Sequence, residues 1–93
     1  MSNFVLLDDK IAFHPGYYIK EYIDFHNLSQ ADFAYMLGTT PKNISYIIRG
    51  EQSISIDIAM KLARLLKTNE KYWLNLQSEY DALISGKAKW YSA

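Results

Sequence analysis

From residue 15 onward, apolar positions recur every three or four residues rather than every two. Ile19, Tyr22, Ile23 and Phe25 or His26 fall close to i, i+3, i+4, i+7, which predicts an amphipathic helix. His14-Pro15-Gly16 opens it, with Pro15 at the first helical position and His14 extended before it, and Asn27-Leu28 closes it. Ser29 caps a second helix, with Gln30 and Asp32 in its first turn, Phe33, Ala34 and Leu37 inward, and Gly38 as its left-handed end. Thr39 or Thr40 caps a third, with Pro41 at its first position, Ile44, Ile47 and Ile48 inward, and Gly50 as a stop. Ser55 starts a fourth, carrying Ala59, Leu62, Ala63 and Leu66 on one stripe. Thr68 or Asn69 starts a fifth, with Trp73, Leu76, Tyr80 and Leu83 or Ile84, which Ser85-Gly86 is expected to end. Before residue 14, Phe4-Val5-Leu6-Leu7 is the best strand candidate, with Ile11-Ala12-Phe13 behind it. Five helices of roughly 8–15 residues on connections of about 2–6 describe an all-α domain. The expected division is an arm over 1–13, the helical domain over 14–84 and a tail over 85–93.

Composition narrows the function classes. Ten Lys plus Arg balance ten Asp plus Glu, so no basic or acidic tail binds indiscriminately. That zero hides an asymmetry. Residues 8–32 hold five acids and two Lys, a net of −3, whereas residues 42–71 hold six basic residues and three acids, a net of +3. The absence of Cys excludes disulfides, thiolate metal sites and a Cys nucleophile. His14 and His26 have no companion His at helical spacing, so no metal or cofactor is expected. Both His residues flank one helix rather than meeting a Ser and an acid, so no enzyme is expected either. No apolar run approaches the roughly 18 residues of a membrane span, and the opening run meets Asp8-Asp9 too soon for a signal peptide. A cytoplasmic protein without a membrane partner is the expectation.

The informative stretch is Ser29 to Gly50. A helix-turn-helix needs a small residue early in its first helix so that the second can cross closely. It also needs a Gly in the turn and aliphatics midway along the second helix. Ala34, Gly38, Ile44 and Ile47 stand at those places.

With Ser29, Gln30, Ala34, Gly38, Ile44 and Ser45 so placed, the stretch resembles the Xre/Cro, or lambda-repressor-like, helix-turn-helix family. A narrower resemblance, over residues 14–84, is to HigA-type antitoxins of the VapI group. It rests on His14-Pro15-Gly16, on Ile58-Ala59-Met60-Lys61-Leu62-Ala63 and on Tyr72-Trp73-Leu74-Asn75-Leu76-Gln77. The resemblance implies a homodimer that represses its own operon by binding double-stranded operator DNA. It also implies neutralisation of a cognate toxin, an mRNA-cleaving ribonuclease like RelE or HigB. One departure is Tyr17, where family members often follow His-Pro-Gly with Glu.

If Ile44, Ile47 and Ile48 face inward, positions 41, 42, 45 and 46 face a major groove. Lys42 suits guanine O6 or N7, Tyr46 a thymine methyl or a hydroxyl contact, and Ser45 pairs either way, while Pro41 offers only apolar surface. Gln30, Thr39, Thr40, Asn43 and Arg49 complete the candidate set; Gln30, Thr39, Asn43 and Arg49 read as phosphate contacts that fix register. Plainer roles stand beside these. Lys42 and Arg49 also fit solvated charges, Gln30 a self-capping residue, Ser45 a packing residue and Tyr46 a ring set against the first helix. The loop Glu51-Gln52-Ser53 is less basic than in many repressors of the family, so useful affinity calls for a dimer on half-sites about 34–36 Å apart. Met1 to Phe13 and Trp90-Tyr91 are ambiguous between packing on their own domain (or fraying, for the tail) and forming an interface. A stand-alone repressor without a toxin is the alternative function, and a helical partner-binding module without DNA activity the third.

Overall fold

The computed structural model describes residues 3–7 and 10–92, with side chains described at 3–6 and 10–85. A hairpin, β1 (Phe4–Leu7) and β2 (Lys10–Phe13), precedes α1 (Pro15–Phe25), α2 (Gln30–Leu37), α3 (Pro41–Ile48), α4 (Ile56–Leu66) and α5 (Glu70–Ser92). The five helices are those the periodicity predicts. Two boundaries differ. The strand candidates pair antiparallel, Phe4 opposite Phe13 and Val5 opposite Ala12, so the expected arm is a hairpin. It lies against α5 of its own domain, with Ala12 buried. The fifth helix does not stop at Gly86 but continues to Ser92. A helical Gly costs only about 1 kcal/mol relative to Ala, too little to end a helix that good formers resume. The side chains of Trp90 and Tyr91 lie outside the described residues.

Local chemistry accounts for the helix starts. Ser29 accepts from the Asp32 amide at 2.9 Å while Asp32 accepts from the Ser29 amide at 3.1 Å, a reciprocal capping box. Thr40, Ser55 and Asn69 cap α3, α4 and α5 through their side-chain oxygens. His14 caps α1: its Nδ1 accepts from the Gly16 amide at 3.0 Å.

The core lies where α1, α2, α3 and α4 converge, and Trp73 closes it from α5. Ile19, Phe33, Ala34, Ile44, Ile47, Ala59 and Leu62 are fully buried there. Trp73 Nε1 donates to Thr68 Oγ1 at 2.7 Å, so its one polar atom is satisfied while the ring is buried. Phe25, a candidate for the buried stripe, is instead 82% exposed. The buried positions of α1 run Pro15, Gly16, Ile19, Ile23, and Phe25 falls two residues past that line, on the far side. Tyr17, the departure from the family pattern, sets its ring 4.4 Å from that of Phe13 and so fastens the hairpin to α1.

Gly16 explains why α1 and α3 sit so close. A Cβ there would stand 1.9 Å from the Ile47 carbonyl oxygen and 2.8 Å from Ile48 Cα. Only a residue without a side chain lets the two backbones meet. The His14-Pro15-Gly16 motif is therefore a packing device: cap, helix start and contact point in three residues.

Candidate nucleic-acid interface

α2 and α3 are joined through Gly38, whose φ of +89° turns the chain after α2. Space around it is open, the nearest atom to an added Cβ being Lys61 Nζ at 3.9 Å. Conformation rather than crowding selects glycine at this turn. Lys61 of α4 donates to the Gly38 carbonyl at 3.0 Å and pairs with Asp57 at 3.1 Å. It thereby places positive charge at the carbonyl end of α2.

α3 is held entirely from behind. Ile44, Ile47 and Ile48 are buried, and the 3.6-residue period then fixes what lies opposite. Lys42, Ser45, Tyr46 and Arg49 come together on the outer face. The Tyr46 ring sits between two cations, Lys42 Nζ 5.9 Å and Arg49 Cζ 5.1 Å from its centroid. Ser45 and Tyr46 are half-buried, whereas Pro41, Lys42 and Arg49 are exposed. The stripe thus offers a hydroxyl, a phenol and two cations, the groups that read guanine and thymine edges and hold phosphates.

At the start of α3 the candidates act in pairs. Thr40 Oγ1 accepts from the Asn43 amide at 3.1 Å, and Asn43 Nδ2 donates to Thr39 Oγ1 at 3.0 Å. These bonds make Thr39 and Asn43 a fixed unit rather than two mobile clamps. Gln30 is exposed at the first position of α2. The capping box uses the Asp32 amide, leaving those of Gln30 and Ala31 to meet an anion. The Ser29 amide and hydroxyl hold the Asp32 carboxyl below its ordinary range, so a negative charge stands at that helix end.

Arg49 Nε donates to Glu51 Oε1 at 3.3 Å, so the exposed guanidinium has a carboxylate partner two residues along the chain.

The loop after α3 is fastened from α5. Gln77, buried on the face of Trp73 and Tyr80, accepts from the Ile54 amide through Oε1 at 3.0 Å and donates to Asp81 Oδ1 at 3.0 Å. His14 is buried edge-on against Tyr80. Burial lowers the His14 pKa, against the opposing pull of Asp81 and Gln52. In the sequence His14 reads only as the extended residue before the first helix, and Gln77 only as part of the resemblance over Tyr72 to Gln77. The available signal was Gln77 at the i+4 place between Trp73 and Tyr80, a polar residue on an apolar stripe.

Among the described residues no three His, Asp or Glu side chains gather as a metal site, and no helix is long and apolar enough to cross a membrane.

Comparison with known proteins follows the same lines. A helix-turn-helix family model matches residues 19–73. Virulence-associated protein I of Dichelobacter nodosus is 33% identical over 79 residues, 84% of this chain and 73% of that protein. An addiction module antidote protein of the HigA family from Coxiella burnetii superposes with a TM-score of 0.81 at 31% identity, over 86% of this chain and 88% of that one. The Pseudomonas aeruginosa antitoxin HigA, solved with the higBA promoter, gives a TM-score of 0.79 at 31% identity over the same shares.

Proposed function

Because the chain belongs to the Xre-type helix-turn-helix family, as a DNA-binding regulator, we propose that it is an antitoxin repressing its own operon as a homodimer. In this reading Lys42, Ser45 and Tyr46 contact base edges, with Pro41 presenting an apolar surface beside them. Gln30, Thr39, Asn43 and Arg49 hold phosphates on either side, with Thr40 capping α3 among them. The observation that carries it is the outer stripe of α3, where Tyr46 stands between Lys42 and Arg49 while every aliphatic of the helix is buried. The antitoxin role is supported by the likeness to HigA proteins over most of the chain. The partner is a small RelE- or HigB-like mRNA-cleaving toxin.

The test is affinity recovery of the chain expressed from its own locus, with the stoichiometry of everything bound. A small protein recovered in near-equal amount, which arrests translation when expressed alone, supports the antitoxin. Recovery of the chain alone, as a dimer that still shifts its own promoter, makes it a stand-alone repressor.

A further inference from the structure

The Arg49–Glu51 pair is the feature of this face that DNA binding does not explain. The Arg49 Nε donates to the Glu51 carboxylate at 3.3 Å while the same group lies 5.1 Å from the Tyr46 centroid, so an anion already competes with a phosphate for this guanidinium. The Arg49 side chain is 49% exposed and that of Glu51 33%, so the pair faces solvent at the edge of the recognition stripe rather than the core. A carboxylate and a DNA phosphate offer an arginine the same thing, anionic oxygens at hydrogen-bond distance. They differ in that the carboxylate is tethered two residues away and is always present. The electrostatic cost is twofold: the charge of Arg49 is partly offset in the unbound protein, and an anion stands beside the stripe that phosphates would approach.

We propose that Glu51 is an intramolecular phosphate mimic that occupies Arg49 and lowers the affinity of this face for any duplex, irrespective of sequence. The inference rests on the DNA-binding reading above and adds a regulatory residue to it. Its physical effect is to weaken the hold of a single copy on non-specific DNA by about threefold, which makes occupancy depend more on two copies meeting two half-sites. Glu51 acts through Arg49 and touches no base.

The test is fluorescence anisotropy with two duplexes of equal length, the native promoter fragment and a scrambled one, across a salt series. Wild type, Glu51→Gln, Arg49→Ala and the double variant are compared, with Glu51→Ala as a second probe of the carboxylate. Glu51→Gln is expected to tighten binding to both duplexes about threefold per copy bound. It should also steepen the log affinity against log salt slope by about 0.9 per copy, as one more phosphate is neutralised. In the Arg49→Ala background the same change is expected to give almost no gain. Unchanged or weaker binding by both Glu51 variants overturns the proposal, and so does an undiminished gain without Arg49. A wild-type chain that binds neither duplex removes the DNA-binding reading and this inference together. Wild-type binding with silent Glu51 variants removes this inference alone.

Discussion

Replacing Gly16 with Ala adds one methyl group at the contact between α1 and α3. That methyl carbon would lie 1.9 Å from the Ile47 carbonyl oxygen, 2.6 Å from its carbonyl carbon and 2.8 Å from Ile48 Cα. All three are backbone atoms, so no side-chain rotation makes room and the helices must separate by roughly an ångström. Overpacking of this kind costs typically 1–3 kcal/mol, and a backbone-to-backbone clash belongs at or above the top of that range. The better helix propensity of Ala returns at most about 1 kcal/mol. A net loss of about 2–3 kcal/mol is expected, against a total of about 5–14 kcal/mol for a domain of this length. At about 4–8 °C per kcal/mol, the melting temperature should fall by roughly 10–20 °C. Circular dichroism and the fluorescence of buried Trp73 report the transition. Gly38→Ala is the control: it meets open space and is strained only by its φ of +89°, so about 1–2 kcal/mol is expected. A Gly16→Ala protein melting within about 2 °C of wild type, or less affected than Gly38→Ala, would refute the close-approach argument.

Three further outcomes are expected. Gln77→Leu leaves the Ile54 amide without its partner and should cost about 1–3 kcal/mol in urea titrations; a loss below about 0.5 kcal/mol would mean that the loop is held by other contacts. His14 has a folded pKa below its ordinary value of 6.5, so its neutral form is the one the fold stabilises. That contribution is complete above pH 6.5 and is lost as the pH falls through the folded pKa. The urea midpoint of wild type should therefore drop on acidification toward pH 5 more than that of His14→Asn, and parallel curves would count against the assignment. Tyr46→Ala should reorder operator preferences in a randomised-site selection, whereas Gln30→Ala should weaken binding to all sequences alike. An unchanged ranking takes Tyr46 out of the readout.

The helix boundaries were legible because caps are local. Ser29, Thr40 and Ser55 each satisfy an amide three residues on, and a short polar side chain before an apolar period announces that bond. The inner face of the recognition helix was legible for the same kind of reason, since Ile44, Ile47 and Ile48 leave few orientations open. Less legible was Gly86, because a glycine that ends a helix and one that merely weakens it look alike in sequence. The pairings of Arg49 with Glu51 and of Thr39 with Asn43 were not legible either, as surface partners are chosen by rotamers that no periodicity encodes. Nor was the reason for Gly16: which backbone a glycine meets is a property of the assembled core, 31 residues further along the chain.

The division of α3 into an anchored back and an outward front has a consequence for how such a protein changes. Its backbone is located by Ile44, Ile47, Ile48 and the contact with Gly16, none of which lies on the outer face. Lys42, Ser45 and Tyr46 can then be rewritten with little effect on folding, in the manner of interchangeable type set in a fixed frame. If the proposed base contacts hold, duplicated copies of the gene would diverge to separate operators by a few substitutions at these three places, and a library randomised there should yield many folded variants with distinct addresses.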